Sequence, residues 1–296
     1  MSSQPAPISF ADPVEQRAAA RRLHGRLEAV HTLVYFAPAV HAAQREVGLK
    51  GRMMGYTAGR IAPMGPVGPE VATAVFYGFS PKLLARALPD AWSFASPDSV
   101  LDATQAAVAG VLTELWQGLD TELSRAAELA REVALLHPIL GRPLGAAWSS
   151  VPWSDDPALV LWQAATRMRE SRGDGHVACL VDAELDGVEC HLTLRGDNPK
   201  LREVMGSMRG YDDAVFDAAV ERLRERGLLD GDGALTGEGR SLRDELEQRT
   251  DRLACRPWVA FGEERAEQLR LALEPLVEPL VESGILPGVV VRGARD

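Results

Sequence analysis

The sequence predicts a mainly α-helical fold that contains one short β-hairpin. Apolar residues recur at three- and four-residue steps in several long segments, which is the spacing of an amphipathic helix. Proline and glycine residues separate these segments, and one stretch has the turn residues of a hairpin. The chain has 296 residues, of which 46% are hydrophobic and 25% charged, as is typical of a globular protein with room for two domains.

The first predicted helix covers residues 13–47. Its apolar stripe consists of Leu23, Leu27, Val30 and Val34. Pro13 suits a first helical turn. Pro38 is expected to kink or break the helix, because proline has no N–H to donate to the preceding turn.

Short helices and one long helical region are predicted for the rest of the N-terminal half. The predicted elements are loops over 48–70, short helices over 69–79 and 80–92, and a helical region over 99–136 that breaks near Gly118. A connector rich in proline and glycine follows over 137–153. We place the boundary between two domains in this connector.

Most of the C-terminal half is also predicted to be helical. The predicted helices cover 156–171, 174–185, 201–207, 211–227, 236–258 and 263–286. Asp174 is the expected N-cap of the second of these, since its side chain can accept a hydrogen bond from a free N–H of the first turn. Residues 187–194 are apolar and partly β-branched, which is typical of either a short helix or a strand.

The predicted hairpin follows the helix over 211–227. Asp212 and Asp213 suit the positive end of that helix, and Gly227 is expected to end it. Leu228–Asp230 and Ala234–Thr236 would then pair across a Gly-Asp-Gly turn.

Several segments resemble known helix-turn-helix proteins. Arg226-Gly227-Leu228-Leu229 and Leu235-Thr236-Gly237-Glu238-Gly239-Arg240 flank the hairpin and resemble the MarR-like winged helix, over about residues 155–257. An actinobacterial helix-turn-helix family labelled SalK-like is similar over most of the chain, through VYFAPAV (34–40), GYTAGRIAPMGPV (55–67), ATAVFYGFSPKLLARALPDAW (72–92) and RESRGDGHVACLV (169–181). These resemblances imply a C-terminal winged helix, with a β-hairpin wing, but no particular chemistry.

Four parts are expected along the chain: a disordered tail (1–12), a helical domain (13–150), a winged-helix domain (151–257) and a C-terminal helical segment (258–296). The last segment carries an apolar face formed by Leu269, Leu273, Leu276, Val277 and Leu280. This face can pack on the N-terminal domain of the same chain or form a homodimer.

Charge argues against DNA binding by the predicted winged helix. Residues 1–150 contain 13 basic and 13 acidic side chains, so the whole net charge of −10 lies in residues 151–296. The predicted recognition helix begins with three carboxylates, Asp212, Asp213 and Asp217, where base contacts are usually made. Its candidate DNA contacts are Arg222, Arg224 and Arg226, which alternate with Glu221 and Glu225 in a pattern that favours pairing within the helix.

A small-molecule site is the alternative that the sequence offers. His31 and Tyr35 are four residues apart on the first helix, and Tyr56 and Arg60 would share a face if residues 52–61 are helical. Arginine beside tyrosine suits a carboxylate or phenolate. Candidate ligand contacts also include Arg169, Arg172 and His176, which cluster in an otherwise acidic region.

The sequence gives little evidence for other classes of protein. The sequence has no P-loop, GxGxxG, HExxH or GxSxG motif. His176 and Cys179 are spaced unlike any known zinc module, so we expect neither a metal nor another cofactor. Without a long apolar span, a signal peptide or a CxxC pair, the chain is expected to be cytoplasmic.

Three functional hypotheses remain open. The first is a winged-helix protein that binds a small aromatic or acidic metabolite, as a sensor or a biosynthetic accessory. The second is a DNA-binding transcriptional regulator. The third is a cofactor-independent enzyme that uses Arg60, His176 and nearby arginines in a pocket between domains. The acidic recognition helix favours the first over the second.

Overall fold

The computed structural model describes residues 7–295, and its regular elements there are helices. The N-terminal half contains α1 (Pro13–Phe36), α2 (Pro38–Glu46), α3 (Gly51–Ile61), α4 (Pro69–Phe76), α5 (Pro81–Ala85), α6 (Ala91–Phe94), α7 (Pro97–Leu115), α8 (Asp120–Leu135) and α9 (Pro143–Ser150). The C-terminal half contains α10 (Pro157–Asp182), α11 (Glu189–Arg195), α12 (Pro199–Ser207), α13 (Asp213–Glu225), α14 (Gly237–Phe261), α15 (Glu263–Glu282) and α16 (Gly288–Arg295).

Proline and glycine set several of these boundaries, as predicted. The first predicted helix divides into α1 and α2, with Ala37 in an extended conformation just before Pro38. Residues before proline avoid the helical region for steric reasons, which explains the break at this point. Gly118 separates α7 from α8 with a φ of +83°, a conformation that glycine adopts at low cost.

Helix α10 lies at the centre of the molecule. Of its 26 residues, 16 are buried, and it packs against α1, α7, α8, α9 and α14. The apolar face of α15 joins the same core, and the indole N–H of Trp116 donates to the carbonyl of Leu276 at 2.8 Å. The apolar face predicted on the C-terminal segment therefore packs within this chain.

The prediction that Asp174 begins a second helix is wrong, because α10 continues through residues 171–175. The Asp174 carboxylate instead accepts a hydrogen bond from the backbone N–H of Gly145, at the start of α9, at 2.8 Å. Gly175 provides space, since a Cβ there would lie 2.8 Å from Cζ of Arg142. The glycines that resembled a turn in the sequence therefore serve close packing between helices.

Helices α12 and α13 form a helix-turn-helix with a turn over residues 208–212. The side chain of Asp212 accepts from the N–H of Val215 at 3.0 Å and caps α13, as predicted. The inner faces of the pair join one hydrophobic cluster, to which Leu201, Met205, Phe216, Val220 and Leu223 belong. Residues 187–194, for which a helix and a strand were both open, form α11.

The predicted β-hairpin wing is wrong: no β-strand occurs between residues 7 and 295. A single antiparallel bridge joins Leu229 to Leu235, and Asp230 turns the chain by accepting hydrogen bonds from the N–H groups of Asp232 and Ala234. Each arm is three residues long and Thr236 already caps α14, so too few residues remain for a ladder. The fold is mainly α, with a tight turn where a wing was expected.

The predicted division into four parts stays a prediction. Residues 1–6 of the expected tail lie outside the described residues, whereas Ile8 is buried and its N–H donates to Glu267 at 2.9 Å. The largest hydrophobic cluster includes residues from Ile8 to Ala294 and so draws on both halves of the chain.

Candidate functional site: a cavity at the helix-turn-helix

A cavity of about 500 Å³ lies where α1, α3 and α10 meet the turn between α12 and α13. Pro287 and Val290, at the start of α16, contribute to one side of it. Its volume is within the range of pockets that hold small organic molecules.

Aromatic rings form much of the cavity wall. The ring centroids of Tyr35 and Tyr56 lie 4.9 Å apart, and those of Tyr56 and Phe79 lie 5.4 Å apart. Trp148 and Trp162 meet edge to face at 5.6 Å on another side. Flat aromatic walls of this kind suit an aromatic or other apolar group.

A buried ion cluster lies beside these rings. Nε and Nη2 of Arg60 each donate to one oxygen of Glu170 at 2.8 Å, and Nη1 of Arg169 donates to the same carboxylate at 3.1 Å. Burial by itself would raise the pKa of Glu170, but Arg60 and Arg169 lower it to about 2. One carboxylate therefore lies between two guanidinium groups.

His31 connects the central helix to the tyrosine wall. Its Nδ1 lies 3.0 Å from the hydroxyl of Thr166 on α10, and its Nε2 lies 2.9 Å from the hydroxyl of Tyr35. Burial lowers the pKa of His31 to about 3, so the ring is neutral at physiological pH. Burial also raises the pKa of Tyr35, which keeps its hydroxyl protonated. The pair can donate and accept hydrogen bonds without adding charge.

Glu28 completes the polar side of the cavity. One of its oxygens accepts from the hydroxyl of Thr32 at 3.2 Å. The other is buried, makes no hydrogen bond to residues 7–295, and lies 3.8 Å from Nε of Arg169. Burial raises the pKa of Glu28, because solvent no longer stabilises the charged form.

Arg209, in the turn between α12 and α13, also lines the cavity, as does the exposed Arg52. Its guanidinium stacks on Phe79 with Cζ 4.0 Å from the ring centroid. No carboxylate within the described part of the chain lies within 4.0 Å of it. Burial lowers the pKa of Arg209. The cavity thus has four guanidinium groups, those of Arg52, Arg60, Arg169 and Arg209, against the carboxyl groups of Glu28 and Glu170, and this excess of arginine suits an anion.

Five of the seven predicted ligand contacts meet at this cavity: His31, Tyr35, Tyr56, Arg60 and Arg169. Arg172 and His176 instead face α14. Arg172 donates to Asp251 at 2.6 Å, and Nδ1 of His176 lies 2.9 Å from the hydroxyl of Thr250. Arg60 and His176, the pair named for an enzyme, therefore contact different groups.

Sequence reasoning did not find Glu170 and Arg209. Glu170 follows a predicted contact, Arg169, and a lone acid in an arginine-rich helix is a signal for a buried ion pair. Arg209 has no such signal, since it precedes a glycine in a short turn. Its place in the cavity depends on how the turn packs against Phe79, which lies 130 residues earlier.

The three arginines predicted as DNA contacts are held by their own domain. Arg222 donates to Glu189 at 2.7 Å and pairs with Asp186. Arg224 donates to Glu221 at 2.6 Å, and Arg226 donates to the carbonyl of Glu184 at 2.8 Å. The pairing within the helix that the alternating charges predicted occurs for Arg224 with Glu221, whereas Arg222 and Arg226 bind groups outside α13.

Two features are absent from the described residues. Residues 7–295 contain no group of three or more His, Cys, Asp or Glu side chains arranged to hold a metal ion. In the same part of the chain, no helix has both the length and the apolar character that crossing a membrane requires.

The fold and the cavity define a helical protein with a helix-turn-helix motif and an internal pocket beside it. Residues 20–287 match a family model described as a helix-turn-helix family, and the chain belongs to this family. No curated protein and no solved structure matches the chain. The helix-turn-helix part of the resemblance is confirmed, whereas the SalK-like and MarR-like assignments and the actinobacterial origin stay predictions.

Proposed function

We propose that the protein is a DNA-binding transcriptional regulator of the helix-turn-helix type, and that its cavity binds a small aromatic or acidic metabolite as an effector. Membership of a helix-turn-helix family supports the first part. Helices α12 and α13 provide the corresponding motif.

The excess of arginine in the cavity is the observation that carries the second part. Four arginines line the cavity, Arg52, Arg60, Arg169 and Arg209, but only two glutamates, Glu28 and Glu170. A buried excess of positive charge is costly unless an anion compensates it. The rings of Tyr35, Tyr56 and Phe79 favour a ligand with a flat apolar body. We therefore assign an aromatic carboxylate or phenolate to the cavity.

The exposed face of α13 favours a second candidate, a protein that binds the same ligand without binding DNA. Asp213, Asp217, Glu221 and Glu225 are exposed at four-residue steps and so form one acidic row. DNA binding draws much of its free energy from Lys and Arg near phosphates, and carboxylates there oppose it.

Selection from sheared genomic DNA at low salt distinguishes the two candidates. The regulator is expected to retain specific fragments in 50 mM salt and to release them at higher salt, because phosphate contacts release counterions. Retention of no fragment at low salt, with and without a panel of aromatic carboxylates, contradicts DNA binding and leaves the second candidate.

A pair of double variants tests whether α13 is the helix that meets DNA. Asp213→Asn with Asp217→Asn removes two carboxylates from the start of α13 and is expected to tighten DNA binding. The matched control, Asp102→Asn with Glu114→Gln, removes two exposed carboxylates from α7. Equal effects of the two double variants would contradict contact through α13, since both change the net charge equally.

A further inference from the structure

The inference concerns Arg209 and rests on the proposed anionic ligand of the cavity. We infer that the anionic group of the ligand binds Arg209, and that this contact couples occupation of the cavity to the position of the helix-turn-helix turn. The ligand class is a carboxylate on an aromatic ring.

Among the three half-buried arginines of the cavity, Arg209 alone has no carboxylate partner within residues 7–295, and Arg52, the fourth arginine of the lining, is exposed. Arg60 uses Nε and Nη2 on Glu170 and Nη1 on the hydroxyl of Tyr56 at 3.1 Å. Arg169 donates to both oxygens of Glu170. The guanidinium of Arg209 makes no hydrogen bond to the described chain, although it lines the cavity. An incoming carboxylate can accept from the N–H groups of Arg209 in the fork geometry that arginine offers.

The stacking on Phe79 orients these donors. Cζ of Arg209 lies over the Phe79 ring, 4.0 Å from the centroid, a position in which arginine commonly stacks on an aromatic face. Tyr56 and Phe79 both line the cavity, with ring centroids 5.4 Å apart. A ligand ring against Tyr56 would thus bring an attached carboxylate toward Arg209.

The backbone on both sides of Arg209 is fastened to the N-terminal half. The N–H of Ser80 donates to the carbonyl of Arg209 at 2.8 Å. Gly210 packs so closely on Leu83 that a Cβ would lie 2.7 Å from the Cβ of Leu83. Lys82 then lies 3.4 Å from Asp212, whose side chain caps α13. A ligand that restrains Arg209 therefore restrains the turn four residues before α13 begins.

Hydrogen exchange of the whole chain, measured with and without 4-hydroxybenzoate, tests the coupling. The matched uncharged probe is 4-hydroxybenzyl alcohol. We expect the carboxylate to slow exchange of the amides over residues 208–216 and to bind wild type more tightly than the alcohol does. Arg209→Gln should weaken carboxylate binding about 10- to 100-fold, the range for a hydrogen bond to a charged group, and leave alcohol binding unchanged. Arg86→Gln, on an exposed arginine at the end of α5, is the matched control and should bind as wild type does.

The outcomes separate this inference from the proposed function. If 4-hydroxybenzoate binds wild type and Arg209→Gln equally, or binds without slowing exchange over 208–216, the inference fails while the cavity ligand stands. If it binds Arg209→Gln more weakly but Arg209→Lys, which restores the charge, recovers part of the affinity, the inference is supported. If neither 4-hydroxybenzoate nor indole-3-carboxylate binds wild type, the proposed ligand class itself fails.

Discussion

Arg60 and Glu170 form a bidentate pair across the core, with both carboxylate oxygens accepting hydrogen bonds at 2.8 Å. The two side chains come from α3 and α10, which are 110 residues apart in sequence. The Glu170 side chain is 1% exposed and that of Arg60 is 9% exposed, so solvent screens the pair little. The pair fastens α3 to the central helix and forms the charged end of the cavity.

Replacement of Glu170 is expected to be strongly destabilising. Glu170→Gln leaves Arg60 without its carboxylate partner in the core, and breaking a buried pair in this way costs about 3–5 kcal/mol. The free energy of unfolding in urea measures the loss. Glu128→Gln is the matched control, because it removes the exposed partner of Arg125 and should cost less than about 1 kcal/mol. Similar losses in the two variants would contradict a buried ion cluster.

Stability is expected to fall as the pH decreases from about 6.5, partly through His31. Burial holds the folded-state pKa of His31 at about 3, below its usual 6.5, so the unfolded chain takes up the proton first. Above pH 6.5, neutral His31 makes its full contribution to the free energy of unfolding. This contribution is lost progressively as the pH falls toward 3. By pH 5, His31 should account for about 2 kcal/mol of the loss.

The comparison of wild type with His31→Gln isolates that contribution. Burial also lowers the pKa of His137 to about 3 and those of His176 and His191 to about 4, so wild type should lose stability steeply. The variant should lose about 2 kcal/mol less than wild type between pH 7.5 and pH 5 in urea titrations. Parallel curves for the two proteins would show that His31 titrates normally in the folded state.

Two glycine-to-alanine substitutions should have opposite effects. A Cβ on Gly25 would overlap the backbone carbonyl of Gly293, so Gly25→Ala should displace α16 and lower the melting temperature. Gly110 lies exposed in α7 with nothing within 4 Å of a Cβ, so Gly110→Ala should stabilise by up to about 1 kcal/mol through helix propensity. Calorimetry of both variants tests the packing of α16 on α1, and a stabilising Gly25→Ala would contradict it.

Local patterns predicted much of the helical framework. The break before Pro38, the break at Gly118 and the Asp212 cap each depend on the chemistry of one or two residues, and the structure confirms them. The face shared by His31 and Tyr35 was also visible, because residues four apart on a helix are neighbours.

The errors have tertiary causes. Asp174 between two glycines satisfies every local rule for a helix start, but the partner that its carboxylate accepts from, Gly145, is 29 residues away. The prediction of a β-hairpin wing was wrong because Leu229 and Leu235 make a single bridge. A pattern of turn residues does not determine how many bridges a hairpin forms. The place of Arg209 in the cavity was missed for a similar reason, because Phe79, the ring that it contacts, is distant in sequence.

The central claim is tested most directly by measuring whether a ligand in the cavity changes the affinity of the protein for DNA. With a fragment selected from genomic DNA, fluorescence anisotropy in 50 mM salt gives the Kd of the protein for DNA with and without saturating 4-hydroxybenzoate. A regulator controlled from the cavity should change its DNA Kd by about 5- to 150-fold, and Arg209→Gln should abolish the change. An identical DNA Kd at saturating ligand would contradict the account, since a ligand with equal affinity for both states shifts nothing.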